Sequence, residues 1–375
     1  MPLSAEDNLR LNVLLAQKLQ AVRLNESTLI IYALTEKGEA KVVLNPNCRD
    51  ELYLRQVKEL FSMRIMGSPG GYPIFIKRWT RMGQRRKNVK QLLLLGEPEA
   101  VVAVAQSPGI SHEIGRRVWW CDPSVENARS LLKRQTVVQG ELGKEIASFL
   151  LEFLPFEARQ LDIAESVSLC LQDDLISNSE RQKLWLRAKR KNPYYVGFLM
   201  GSPDNLLLEK PEHPNYATLK QQVSTIQDNL IIQDLLWVLS AKGQAWLATI
   251  RLALTKPTDQ EVVVALFIAI NAYFHTHFPE HRGVRHIDRA IQRAERLCKA
   301  SEKQQASDEL QMVLNHIGQY KPLLESLLVL AQLGENTLNP IFSGSDSIGS
   351  VMRKHLKPLT TALLIRIDVL QTKIC

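Results

Sequence analysis

The side chains best suited to covalent chemistry are five cysteines, Cys48, Cys121, Cys170, Cys298 and Cys375. A cysteine thiolate can accept sulfane sulfur or exchange disulfides. Cys48 lies near a predicted helix start beside Arg49, and both features favour a thiolate. Cys375 is the last residue, a position that favours exposure. These two are candidate reactive thiols, or else inert small hydrophobes, and the other three are predicted core residues.

A basic segment is the second candidate site. Residues 77–90 carry seven basic residues and no acidic residue, with one tryptophan among them. The segment can bind single-stranded RNA, with cations on phosphates and the ring on a base. It can equally dock an acidic protein or be a solvated loop. The candidate binding residues are Lys77, Arg78, Trp79, Arg81, Arg85, Arg86, Lys87 and Lys90.

No motif of a known catalytic site occurs in the sequence. Phosphate-binding loops, dinucleotide fingerprints, nucleophile elbows and the H-E-x-x-H zinc motif are all missing. Four histidines cluster at residues 275–286, but Pro279 and Gly283 interrupt them and the spacing is not helical. We therefore predict a solvated loop there and no metal site, no cofactor and no catalytic residue. The chain is predicted to be a non-enzyme.

The positive charge is concentrated at one end. Residues 1–140 hold 21 Lys and Arg against 13 Asp and Glu, and residues 141–375 hold 26 of each. The cysteines are scattered and odd in number, without a C-x-x-C pair, which favours a reducing cytoplasm. The most apolar run, Val262–Ile270, is too short to cross a bilayer, and the N-terminus lacks the pattern of a secretory signal. A cytoplasmic protein without membrane insertion is expected.

Hydrophobic periodicity predicts a mainly α protein in four parts. Residues 1–90 form a small α+β domain, in which a turn at Glu36-Lys37-Gly38 joins two strands and a helix runs from about Cys48 to Met66. Residues 91–200 form a HEAT-like array of short helices. Residues 201–215 form a proline-rich linker and residues 216–375 a helical bundle. Within the bundle, residues 287–298 have one clean apolar face with Arg285, Arg289 and Arg296 off it.

Four runs of sequence resemble the family of the sulfur reduction protein DsrS. They are LSAEDNLRLNVLL (3–15), NPNCRDELYL (45–54), MGSPGGYPIFIKRWTRMGQ (66–84) and LLLLGEPEAVVAV (92–104). The likeness extends over essentially the whole chain and is clearest in the first 200 residues. The resemblance implies a cytoplasmic accessory of the dissimilatory sulfite reductase system in sulfur-oxidising bacteria, and it brings no catalytic residue or cofactor.

The resulting expectation is a non-catalytic accessory or regulatory protein of dissimilatory sulfur oxidation. Its partners would be proteins of that pathway, or RNA, bound through the basic segment. The alternative is a sulfur-handling protein in which Cys48 or Cys375 carries a persulfide.

Overall fold

The computed structural model describes residues 3–67, 89–274, 284–299, 308–343 and 347–374. These residues are mainly helical, with one small antiparallel sheet near the N-terminus, so the predicted fold class is confirmed. The chain divides into two compact units, Met1–Phe153 and Leu154–Cys375. The four-part division drawn from the sequence remains a prediction.

The sheet contains three strands in the order of the chain: β1 (Leu19–Asn25), β2 (Ile30–Thr35) and β3 (Gly38–Val43). Both pairs are antiparallel, and Thr35 lies opposite Gly38. Glu36 and Lys37 therefore form a two-residue hairpin loop, as the sequence predicts. Gly38 has a φ of 122°, a conformation that a side chain would strain.

Two helices cover one face of this sheet. Helix α1 (Ala5–Leu15) is capped by Ser4, whose hydroxyl accepts the Asp7 amide at 3.3 Å. Helix α2 (Asp50–Met66) begins two residues later than predicted, with Arg49 at its N-cap, and ends at Gly67 in the left-handed conformation. Leu11, Ile31 and Tyr53 join the helices and the sheet in one apolar core.

A fully buried carboxylate ties these elements together. Asp7 accepts hydrogen bonds from the backbone amide of Asn45, at 2.7 Å, and from the hydroxyl of Tyr53. Burial and this bond to Asp7 raise the pKa of Tyr53, so the hydroxyl stays protonated and donates. Because its partners follow β3 and lie on α2, Asp7 fixes α1 against both.

The rest of the first unit consists of short helices after a 3-10 turn at Val89–Leu94. They are α3 (Pro98–Ala105), α4 (His112–Cys121), α5 (Val125–Leu132), α6 (Gln135–Val138) and α7 (Glu141–Phe153).

The second unit is entirely helical in its described residues. Its helices are α8 (Gln160–Cys170), α9 (Asn178–Ala188), α10 (Pro193–Gly201), α11 (Tyr216–Gln222), α12 (Leu230–Leu239), α13 (Ala241–Thr255), α14 (Gln260–Tyr273), α15 (Ile287–Lys299), α16 (Asp308–Ile317), α17 (Lys321–Gln332), α18 (Glu335–Phe342) and α19 (Gly349–Gln371).

Helices α8 and α10 pack closely against each other. A Cβ on Gly201 would lie 2.4 Å from the carbonyl oxygen of Ser168, and one on Gly197 would lie 2.7 Å from that of Ala164. Both glycines are therefore required by the approach of the two backbones, and α10 also contacts α9, α13 and α14.

Candidate functional site

The basic segment predicted from the sequence contributes little to the described surface. Lys77, Arg78, Trp79, Arg81, Arg85, Arg86 and Lys87 lie outside the described residues, as do His275, His277 and His281. Lys90 is described and is exposed in the 3-10 turn that precedes α3. The candidate patch therefore remains a prediction.

Helix α15 presents a row of arginines that the sequence analysis did not single out as a site. Arg289, Arg293 and Arg296 fall within roughly 60° around the axis at 100° per residue, and Arg285 lies two residues before the helix. The row is about 16 Å long at 1.5 Å per residue. With Val284 and Gln292 these side chains line a surface depression of about 600 Å³. We call this surface the arginine face.

Packing fixes which side of α15 carries the arginines. Ala290, Ala294 and Cys298 are buried on the other side, against α17 and α19. From α17, the amide of Gln332 donates to the carbonyl oxygen of Ala290 at 3.2 Å. Rotation of α15 about its axis would expose this apolar stripe to water. The arginine face is therefore held on the solvent side of the helix.

The arginine face has no carboxylate to neutralise it within the described chain. None of its four arginines forms an ion pair with a described residue, whereas Glu295 beside them is engaged by Lys299 at 3.6 Å and by Arg366 at 3.9 Å. Like charges spaced four residues apart destabilise a helix by roughly 0.2–0.5 kcal/mol per pair. An external anion would relieve this repulsion and accept paired guanidinium hydrogen bonds.

The described cysteines divide by solvent access. Cys121, Cys170 and Cys298 are buried as predicted, and burial raises the pKa of each thiol to about 12. They stay protonated at neutral pH and are poor nucleophiles. Cys48 is half-buried just before α2, and its thiol donates to the carbonyl oxygen of Arg49 at 3.7 Å. Its predicted reactivity remains a prediction.

The second candidate thiol, Cys375, lies outside the described residues, but the residues before it are held in place. The side chain of Asn215 accepts from the Ile374 amide at 2.9 Å and donates to the Ile374 carbonyl oxygen at 3.1 Å. His213 contacts the carbonyl oxygen of Thr372 at 2.9 Å through Nε2 and accepts the Asn215 amide at Nδ1. The predicted linker thus contains buried residues that anchor the C-terminal segment.

A buried carboxylate lies elsewhere in the second unit. Asp234 on α12 is 5% exposed, and burial raises its pKa to about 7. It acts electrostatically on Tyr273, whose ring stacks on Trp237 with centroids 3.9 Å apart. Burial and the charges of Asp204 and Asp234 raise the pKa of Tyr273.

No group of three or more His, Cys, Asp or Glu side chains in the described ranges is placed to hold a metal ion. No helix among those described is both long and apolar enough to span a bilayer. The sequence matches no protein family, no curated protein and no solved structure in the comparisons made.

Proposed function

We propose that this chain is a non-catalytic accessory or regulatory protein that binds an acidic protein surface through its arginine face. The observation that carries the proposal is the row of four arginines without an ion pair to any described residue. Arginine is enriched among the residues that dominate protein interfaces, because its planar group pairs with carboxylates in a bidentate way. A partner that places carboxylates on this row would meet a row of guanidinium donors that no carboxylate of the described residues engages.

The composition around the face favours a protein partner over RNA. Asp288 and Glu295 flank the arginines on α15; Glu295 is engaged by Lys299 and Arg366, but the exposed Asp288 would repel a phosphate backbone. The helix contains no aromatic side chain on which an exposed base can stack. A protein can place basic residues opposite the flanking acids and acidic residues opposite the arginines, so mixed charges add specificity.

The pathway in which this protein would act comes from the resemblance to the DsrS family. On that basis we propose a cytoplasmic role in dissimilatory sulfur oxidation, with proteins of the sulfite reductase system as partners. The basic segment at residues 77–90 is proposed as an additional contact with the same kind of partner.

The test is affinity capture of the tagged chain from sulfur-oxidising cells at low salt, with and without nuclease, followed by mass spectrometry. The informative variant is Arg285→Glu with Arg289→Glu. Both positions are at the start of α15, where the helix dipole favours glutamate, so the helix should stay folded. The matched control is Lys354→Glu with Lys357→Glu, two exposed lysines on α19 without ion pairs to described residues.

Each outcome separates one class of partner. The proposal is supported if sulfur-pathway proteins are still recovered after nuclease treatment. Their recovery should be unchanged with the lysine control and at least about tenfold lower with the arginine variant. Recovery that disappears with nuclease would replace it with RNA-linked regulation. Equal recovery by the two variants would show that the arginine face does not bind the partner.

A persulfide carrier is the second candidate function, favoured by the partial exposure of Cys48 while three other thiols are buried. The thiolate would attack the outer sulfur of a donor persulfide, and the donor thiol would leave. Alkylation rates measured by mass spectrometry test this. Rates at Cys48 and Cys375 as slow as those at the buried cysteines would exclude it.

A further inference from the structure

A second cationic surface of the same unit lies where three helices end or begin. Helix α9 ends at Ala188, the turn 189–192 follows, and α10 begins at Pro193. The last turn of α13 and residues 256–258 form the opposite wall. Together they enclose a groove of about 580 Å³, which is within the range of small-ligand sites. We call it the basic groove.

Four cationic side chains line the basic groove, and no acidic side chain does. Lys189, Arg190 and Lys191 come from the turn, and Lys256 comes from the opposite wall. None forms an ion pair with a described residue. Other cations of this unit do form ion pairs: Arg159 pairs with Glu261 at 2.9 Å, and Arg251 pairs with Asp368.

The turn that carries three of these charges is fixed to the opposite wall. The Asn192 side chain donates to the carbonyl oxygens of Leu252 and Ala253 near the end of α13. Pro193 restricts the first residue of α10. The buried ring of Tyr195 packs edge-on against Trp185, with centroids 5.3 Å apart. The backbone that presents the charges is thereby ordered in the free protein, which lowers the entropic cost of binding a ligand.

The remaining lining adds neutral polar and apolar contacts. Thr258 is an exposed residue whose hydroxyl can donate to a ligand, whereas the Thr255 hydroxyl already donates to the carbonyl oxygen of Arg251 at 2.9 Å. Leu252, Pro193 and Tyr195 form an apolar wall. Hydroxyls and lysines suit phosphate oxygens, and Arg190 can bind two of them at once. We propose that the basic groove binds a small molecule with two or more phosphate groups. This site is independent of the arginine face, since the two share no lining residue.

Isothermal titration of the full chain with inorganic tripolyphosphate tests the proposal, with inorganic monophosphate as the second probe. The variant is Arg190→Gln with Lys256→Gln, which removes one charge from each wall. The matched control is Lys242→Gln with Lys354→Gln, two exposed lysines outside the groove. All titrations use 0.15 M salt, where the Debye length is about 8 Å and diffuse attraction is screened.

We expect saturable binding of one tripolyphosphate per chain, weakened at least about tenfold in the groove variant and unchanged in the control. Monophosphate should bind much more weakly than tripolyphosphate. Non-saturable binding, equal losses in the two variants, or no difference between the probes would each overturn the proposal. Circular dichroism of the groove variant checks that a loss of binding does not come from unfolding.

Discussion

Substitution of Asp234 by asparagine should stabilise the second unit, and only at neutral to alkaline pH. Burial raises the pKa of Asp234 from 3.8 to about 7, because the ionised carboxylate loses hydration on α12. The folded chain therefore holds a proton that the unfolded chain releases above pH 3.8. The contribution of Asp234 to the free energy of unfolding is fully present below pH 3.8 and is lost as the pH rises to about 7.

The size of the effect follows from the difference between these two pKa values. A rise from 3.8 to about 7 corresponds to about 4 kcal/mol of lost stability once the pH exceeds 7. Water penetration and local relaxation reduce such penalties, so we expect about 2 kcal/mol. Asparagine has nearly the same shape and does not ionise. The variant should therefore be about 2 kcal/mol more stable than the natural chain at pH 8 and nearly equal to it at pH 4.

The assay is guanidinium unfolding of both proteins at pH 4 and pH 8, followed by circular dichroism and tryptophan fluorescence. Comparing the two chains at each pH cancels the titration of all other groups. The control is Asp228→Asn, the same substitution at an exposed carboxylate just before α12, which tests whether the effect requires burial. A stabilisation by Asp234→Asn that is the same at both pH values, or none at pH 8, would refute the reasoning.

Three further expectations concern packing and hydrogen bonds. Gly201→Ala should cost about 1–3 kcal/mol in denaturant unfolding, because its Cβ would lie 2.4 Å from a backbone oxygen of α8; Gly334→Ala, whose Cβ would make only ordinary contacts at 3.5 Å and whose backbone is extended, tests whether such a cost reflects that contact. Tyr53→Phe should cost about 1–3 kcal/mol, since it removes a donor from the buried carboxylate of Asp7, and a neutral result would contradict the role given to that bond. Burial lowers the pKa of His213, so stability at this site falls as the pH drops below 6.5; the protection factor of the Ile374 amide against hydrogen exchange, which corrects for the intrinsic rate, should fall there, and His213→Ala should abolish this pH dependence.

The sequence predicted correctly those elements that depend only on residues close together in the chain. The turn at Glu36-Lys37-Gly38 needs only two flanking strands and a permissive glycine, and the structure contains that hairpin. The apolar side of residues 287–298 follows from helical spacing alone and is buried as predicted. The same spacing already placed the arginines on one side of α15, but the sequence cannot tell whether acids elsewhere in the fold neutralise them.

Features that depend on distant residues could not be predicted. The basic groove joins Arg190 and Lys256, which are 66 positions apart, and only tertiary packing brings the two walls together. The segment at 201–215 has the composition of a linker, yet His213 and Asn215 are buried by the C-terminal residues Thr372–Ile374. Helix α2 begins at Asp50 and not at Cys48, and its N-cap residue Arg49 makes no side-chain capping hydrogen bond that a sequence pattern could reveal.

The most direct test of the central claim compares nuclease-treated captures by two double variants. One is Arg285→Glu with Arg289→Glu on the arginine face, and the other is Lys354→Glu with Lys357→Glu on α19. The account predicts that the same sulfur-pathway proteins are recovered by the lysine variant at the natural level and by the arginine variant at about a tenth of it or less. Equal recovery of those proteins by both variants would contradict a function based on the arginine face.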